Sequence, residues 1–422
     1  MSSSNRNDFP YKEGTTLEIH RHRPRKPFGI VNWIRYDLDL EREWNAYCRD
    51  PEYWHDHRVD FALRYPPITG HKLKNPGTRI FKITRVVQTE EDTDGPMLIE
   101  GYIDSPDGTK KELWARVYDG VFYSLDLHLG DPALDVDYPD FMTKADIHYS
   151  TEFWAYEQIH HAELPGSVTL DFYGGWTFSL ETGNPKYPRR NVRMILLEKS
   201  ANARTMEEVI KEATTSEKCP PEDFSEYDQF EDRLPSVEHR LKALKSMLEA
   251  YNLIWWYAEV DLTPIGPENV LIRNDNSVAL IDFSTAIVYR YAKIDNPADE
   301  HLKRKLNSPE RCPHPVLRHW PFGAWVGPNH YLLVNGHFPD YRNEDVEVKS
   351  EWWQWVPEEW LEDPEAAAAW LLEAFMFRSV DLTRFSPLPD EFLNDPSHEQ
   401  RSPKVLDLLE QLGRKTRDVL TP

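Results

Sequence analysis

Three short segments rich in β-branched and aromatic residues succeed one another closely in this chain: TRIFKITRVVQ (78–88), PMLIEGYID (96–104) and KELWARVYD (111–119). The acidic turn TEEDTDG separates the first two and SPDG the last two, connections too short for anything but reversal of direction. The spacing predicts a three-stranded antiparallel meander. Few other patterns limit the fold so strongly, because a crossover to a parallel strand needs a dozen or more residues.

Beyond the meander, a helix comes first. STEFWAYEQIHHAE (150–163) has Phe153, Tyr156 and Ile159 on one helical face, with Ser150 placed as N-cap. VTLDFYGGWTFSL and RRNVRMILLEK supply two further strands, so five strands with one helix between the third and fourth occupy about 78–199. Past residue 200 the pattern turns helical. TMEEVIKEA (205–213), SVEHRLKALKSMLEAYNLIWWYA (236–258), VPEEWLEDPEAAAAWLLEAFMF and SPKVLDLLEQLGRKTRDVL are the helices, with Asp363 and Ser402 as start signals for the last two. Within this half, PENVLIRNDNSVALIDFSTA (267–286) predicts a β-hairpin with a polar turn at Arg273 to Ser277. Asn269 and Asp282 stand at the ends of its two strands.

Composition excludes several classes of function. Lys and Arg total 49 against 72 Asp and Glu, a net charge of -23, which repels nucleic acid and anionic membranes. No nucleic acid and no membrane are therefore expected as partners. The three cysteines, Cys48, Cys219 and Cys312, lack metal-ligand spacing and support neither a zinc site nor a disulfide framework. The opening MSSSNRNDFPYKEG has no apolar core, and no apolar run approaches the ~18–20 residues that span a bilayer. A cytoplasmic protein is the expectation. The basic run HRHRPRK (His20 to Lys26) adds a nuclear address as an alternative to a solvated tail segment.

Five antiparallel strands, a helix after the third, then a helical half with a central hairpin resemble the protein-kinase-like superfamily over about residues 78–380. The aminoglycoside and choline phosphotransferases and the divergent kinase-like proteins of fungi are most similar. The segment VDLTPIGPENVLIRNDNSVALIDF carries the resemblance. It implies an α+β, bilobal protein-kinase-like fold: an N-lobe of a five-stranded antiparallel sheet plus one helix, and a mainly helical C-lobe with a central β-hairpin. The implied division is an N-terminal extension (1–75), an N-lobe and hinge (76–200) and a C-lobe (201–422). The implied activity is ATP- and magnesium-dependent phosphoryl transfer to a hydroxyl or amine of a small molecule or protein. By the same resemblance Asp261 orients the acceptor hydroxyl, while Asn269 and Asp282 hold Mg2+. Arg116 takes the place of the phosphate-binding lysine, with Glu152 as its ion-pair partner. Glu198, Lys199 and Ser200 form the connector whose backbone holds the adenine.

The chain also departs from that pattern. Arg116 is bulkier than lysine and forks onto carboxylates. The turn at residues 90–95 carries four carboxylates where phosphates are expected, and Asp261 and Asn269 stand eight apart where protein kinases use five. These departures favour a second reading, a pseudokinase: a kinase-shaped binding or scaffold module with weak or no phosphoryl transfer. The cluster EWWQWVPEEW (351–360) is read as core in preference to a substrate cage.

Overall fold

A computed structural model of the 422-residue chain describes residues 9–27, 62–64, 66–74, 76–89, 95–104, 108–123, 141–164, 166, 168–213, 234–262, 265–275, 277–291, 312, 314–319, 355–357, 359–375, 385–386 and 388–420. The chain forms two compact units. The first comprises Met1–Pro165, Leu170–Ser200 and Asp282–Asn296, the second Gly166–Thr169, Ala201–Ile281 and Pro297–Pro422.

The first unit holds a closed antiparallel barrel of six strands: β1 (Thr16–Arg21), β2 (Thr78–Gln88), β3 (Met97–Asp104), β4 (Lys110–Tyr118), β5 (Phe172–Glu181) and β6 (Arg189–Glu198). They pair in the order β1-β2-β3-β4-β6-β5, and β1 also pairs with β5. This corrects the fold expected from the kinase-like resemblance. A five-stranded sheet has two open edges, whereas here β1 is bonded on both sides and the sheet closes on itself. The physical reason is that Leu17 and Ile19 face the interior and are 5% and 0% exposed. Burying them both fills the barrel and removes its edges. The alternation in residues 16–21 is weak as a sequence signal because polar and basic residues surround it.

Barrel closure requires strands that bend. β2 is irregular between Ile83 and Arg85 and again between Val86 and Gln88, and β5 between Phe172 and Gly175. Such bulges increase local twist. Inward-facing Phe81, Ile83, Met97, Ile99, Leu113, Ala115, Val117, Trp176, Phe178, Val192, Met194 and Leu196 fill the interior. At Gly101 a Cβ would stand 2.4 Å from the Phe81 ring and from the Lys82 carbonyl oxygen, so only glycine lets that ring lie there.

Helix α1 (Phe141–His161) packs against β4, β5 and β6. It begins well before the expected start at Ser150, whose hydroxyl donates to the Ile147 carbonyl at 3.0 Å inside the helix instead of capping it. Tyr11, part of the barrel core, donates to Asp119 (2.6 Å), and Arg190 reaches the same carboxylate at 2.5 Å. Residues 66–74 are held by Asp146, which accepts from Ile68 N–H (2.6 Å), and by Arg193, which donates to the Ile68 carbonyl (3.0 Å).

In the second unit, β7 (Arg204–Thr205), β8 (Val270–Ile272) and β9 (Val278–Leu280) form a three-stranded sheet in the order β9-β8-β7. The β8–β9 pair is the expected hairpin, its turn closed by Arg273 N–H donating to Ser277 O at 2.9 Å. Helix α2 (Met206–Ala213) is preceded by a capping box in which Thr205 and Glu208 each accept the other's N–H. Helix α3 (Val237–Leu253) is capped by Ser236 and runs into a π-turn, Ile254–Ala258. Helices α4 (Pro364–Ala374) and α5 (Pro403–Leu420) start at Asp363 and Ser402 as expected, and Glu365 ties them by accepting from Ser402 N–H and Arg401. Trp355 and Trp360 are buried, and Trp355 donates its indole N–H to the Arg240 carbonyl at 3.0 Å. Trp352 and Trp353, Cys48, Cys219 and the carboxylates of the 90–94 turn lie outside the described residues. No described helix is long and apolar enough to cross a membrane.

Candidate functional site

Along β4 the side chains alternate. Ala115 and Val117 enter the barrel, so Arg116 and Tyr118 leave its outer face toward α1. Glu152 rises to meet them from the middle of α1 and is completely buried. Arg116 Nε donates to Glu152 Oε2 at 3.0 Å and lies 2.9 Å from Oε1. The Tyr118 hydroxyl donates to the same Oε2 in a short bond. Arg116 Nη2 in turn stands 2.5 Å from Asp282 Oδ1. Three residues singled out in the sequence, Arg116, Glu152 and Asp282, thus form one buried ionic group. The arginine is shared between the two carboxylates.

Asp282 reaches that position with a backbone few side chains adopt. Its φ of 60° lies in the left-handed region, which short polar side chains tolerate through local hydrogen bonds. Here Oδ1 accepts from the Ser284 hydroxyl (2.6 Å) and from Ser284 N–H (3.3 Å). Phe283 behind it is fully buried and meets Tyr156 edge-on. Oδ2 accepts no hydrogen bond from the described residues, and the Asp282 side chain is 32% exposed.

Two carboxylates around one guanidinium compete for its charge, and their proton affinities diverge. Burial pushes Glu152 up, the nearby Asp282 adds to this and Arg116 only partly opposes it, so the carboxyl titrates at about 7. Burial also disfavours ionised Asp282, but Arg116 outweighs it and holds this carboxyl below its ordinary value. Arg116 itself stays charged, because the two carboxylates more than offset its own desolvation. The group therefore alternates between neutral and singly negative near physiological pH.

Two further members of the site belong to no motif in the sequence. Lys144 and His148 precede Glu152 by eight and four residues on α1, so all three share one helix face. The His148 ring lies 5.7 Å from that of Tyr123. Burial, with help from the Lys144 and Arg116 charges, lowers His148 to about 4 and keeps it neutral. The helical period identifies both residues once Glu152 is chosen. Tyr118 is equally legible, being two residues beyond Arg116 on the same strand face.

The connector residues point elsewhere. Lys199 pairs with Glu100 (3.2 Å) and Glu112 (3.3 Å) on the barrel wall. Glu198 N–H donates to Asp171 O at 2.9 Å, and its carboxylate accepts from Asp171 N–H at 3.4 Å. Ser200 ends the Leu170–Ser200 segment of the first unit. Asp261 and Asn269 belong to the second unit. Asp261 is 8% exposed and accepts the Tyr251 hydroxyl at 2.6 Å. It comes two residues after Glu259, whose φ of 58° turns the chain left-handed where a helix commonly ends on glycine. Asn269 Oδ1 accepts Gly266 N–H at 2.9 Å and its amide reaches the Ile281 carbonyl at 3.5 Å, bracing the hairpin base.

Magnesium needs several oxygen ligands with lone pairs to spare. The two oxygens best placed by chemistry, Asp282 Oδ1 and Asn269 Oδ1, are already held by internal donors. No protein-family model matches the sequence, and no curated protein does.

Proposed function

We propose that this chain is a binding protein for a nucleotide-like anionic small molecule, with phosphoryl transfer slow or absent. The observation supporting slow or absent transfer is the arrangement of Arg116. Its guanidinium meets Glu152 through Nε and Asp282 through Nη2, at 7% exposure. An arginine so neutralised offers a phosphate little net attraction, and an aspartate so paired gives a metal only one unengaged oxygen. Among the described residues on the face of α1 that carries Glu152, Lys144 is a cation that can attract the ligand.

The test is paired. Equilibrium binding of ATP is measured by calorimetry with and without magnesium, and phosphoryl transfer is monitored in a single-turnover experiment with labelled ATP. Binding that is indifferent to magnesium, weakened by Lys144→Ala and unaccompanied by transfer supports the proposal. Magnesium-dependent turnover that disappears in Asp261→Ala overturns it in favour of the phosphotransferase reading. One observation favours that second reading: the Asp282 side chain is 32% exposed, and its Oδ2 accepts no hydrogen bond from the described residues. In it, Asp282 would release Arg116 to take up an ion, and ATP with Mg2+ would serve a hydroxyl or amine acceptor.

A further inference from the structure

The run His20 to Lys26 is neither a loose tail nor an isolated stretch. His20 and Arg21 complete β1, and the remainder is fastened beside α1 by its own side chains. Arg21 lies over the Trp176 ring (4.5 Å), Arg23 over Trp154 (4.8 Å) and Lys26 over Tyr291 (5.4 Å). The Trp154 indole donates to the Arg25 carbonyl at 2.7 Å.

A second basic segment lies against the first. His71 N–H donates to the Arg23 carbonyl at 2.8 Å, Arg25 Nε donates to the Thr69 carbonyl at 3.1 Å, and Arg21 N–H donates to Gly77 O at 3.0 Å. Gly70 makes the approach possible, since a Cβ there would come within 2.2 Å of the Arg23 carbonyl oxygen. This pairing puts Lys72, Lys74 and Arg79 beside Arg21, Arg25 and Lys26, all six exposed. Two described acids border the patch: Glu157 pairs with Arg23 at 3.5 Å, and Glu18 lies 3.7 Å from His20. Arg290, also exposed, extends the patch next to Tyr291.

We propose that this face docks an acidic, Asp- and Glu-rich protein segment. Concentrating so many cations in a chain of net charge -23 costs mutual repulsion that an anionic partner relieves. The arrangement of the aromatic residues selects the kind of anion. Trp176, Trp154 and Tyr291 already have a cation over the ring, so these rings are not presented for the base stacking that single-stranded nucleic acid uses. The surrounding negative charge also disfavours a long phosphate polymer that must run beyond the patch. A short carboxylate-bearing segment needs only the patch.

The experiment is fluorescence anisotropy with the full chain and a labelled peptide of alternating Glu and Asp, at low and at physiological salt. A single-stranded oligonucleotide of equal length is measured alongside. The peptide is expected to bind at low salt and to weaken by about tenfold or more as screening rises. The triple variant Lys72→Glu/Lys74→Glu/Arg79→Glu touches exposed positions that do not fasten the run, and should reduce binding by at least about tenfold with an unchanged thermal midpoint. No peptide binding at low salt, equal binding by the triple variant, or tighter binding of the oligonucleotide would each overturn the proposal. Binding of ATP is read in a separate titration, so loss of one activity does not imply loss of the other.

Discussion

Arg116 and Asp282 stand 2.5 Å apart although 166 residues separate them in the chain, and the same guanidinium holds Glu152 through its Nε. Removing the cation leaves two carboxylates facing one another beneath the barrel. Arg116→Met is expected to destabilise the first unit by about 3–5 kcal/mol, the usual cost of an uncompensated buried charge. Urea unfolding monitored by tryptophan fluorescence measures it. Arg116→Met/Glu152→Gln should recover part of the loss, and a double variant no better than the single would refute the shared-charge account.

The pH dependence of Glu152 has a definite sign. Its folded value, about 7, lies above the ordinary 4.5, so the folded state binds the extra proton between those two values. Its contribution to stability is fully present below about pH 4.5 and is lost as pH rises toward 7. Glu152→Gln should flatten the stability profile across that window. Asp282→Asn should move the loss to lower pH, because the charge that helps raise Glu152 is gone. Thermal midpoints at half-unit pH steps would show both effects.

His22 acts in the opposite direction. Burial, with the Arg193 and His71 charges adding to it, lowers its value from 6.5 to about 3, and its Nδ1 lies 2.8 Å from the Tyr149 hydroxyl. Stability supplied by neutral His22 is present above pH 6.5 and falls as pH drops toward 3. His22→Gln retains hydrogen-bonding capacity without the titration, so its acid-unfolding midpoint should lie at lower pH than that of the parent protein.

Asn269 separates a structural role from a ligating one. Asn269→Ala leaves Gly266 N–H without its acceptor and should cost about 1–3 kcal/mol. Asn269→Asp keeps that acceptor and should cost clearly less. Equal losses in chemical denaturation would show that the Gly266 bond is not what the side chain contributes.

Closure of the barrel predicts a strong effect from a small change outside the meander. Ile19→Ala removes a fully buried side chain and is expected to cost about 2–5 kcal/mol. Ile80→Ala on β2, where the side chain is 40% exposed, should change stability little.

The five strands from 78 to 198, the hairpin and the helix starts at Asp363 and Ser402 are legible because each is written in local period and turn chemistry. The sixth strand is not. Only Leu17 and Ile19 alternate there, and their partners, Phe81 and Arg79 on β2, are about 60 residues away. The pairing of Arg116 with Glu152 comes from the resemblance, and the two side chains lie in contact. That Asp282 joins them requires the left-handed turn at that residue, which nothing in LIDFS announces, since glycine is the usual sign of such a backbone. The basic run at 20–26 reads as a solvated tail because its aromatic partners, Trp154, Trp176 and Tyr291, are scattered across the sequence.

The double pairing of β1 also sets an order of events during synthesis. β1 leaves the ribosome first, yet its second neighbour, β5, ends at Glu181. At about 5–20 residues per second, the interval between them is roughly 10 to 30 s. Throughout that interval the nascent sheet has an unsatisfied border at β1, open to other nascent chains and to the chaperones that shield them. Transposing Thr16–Arg21 to a position after Glu198 would end that wait, and the yield of soluble protein would report how much the wait matters.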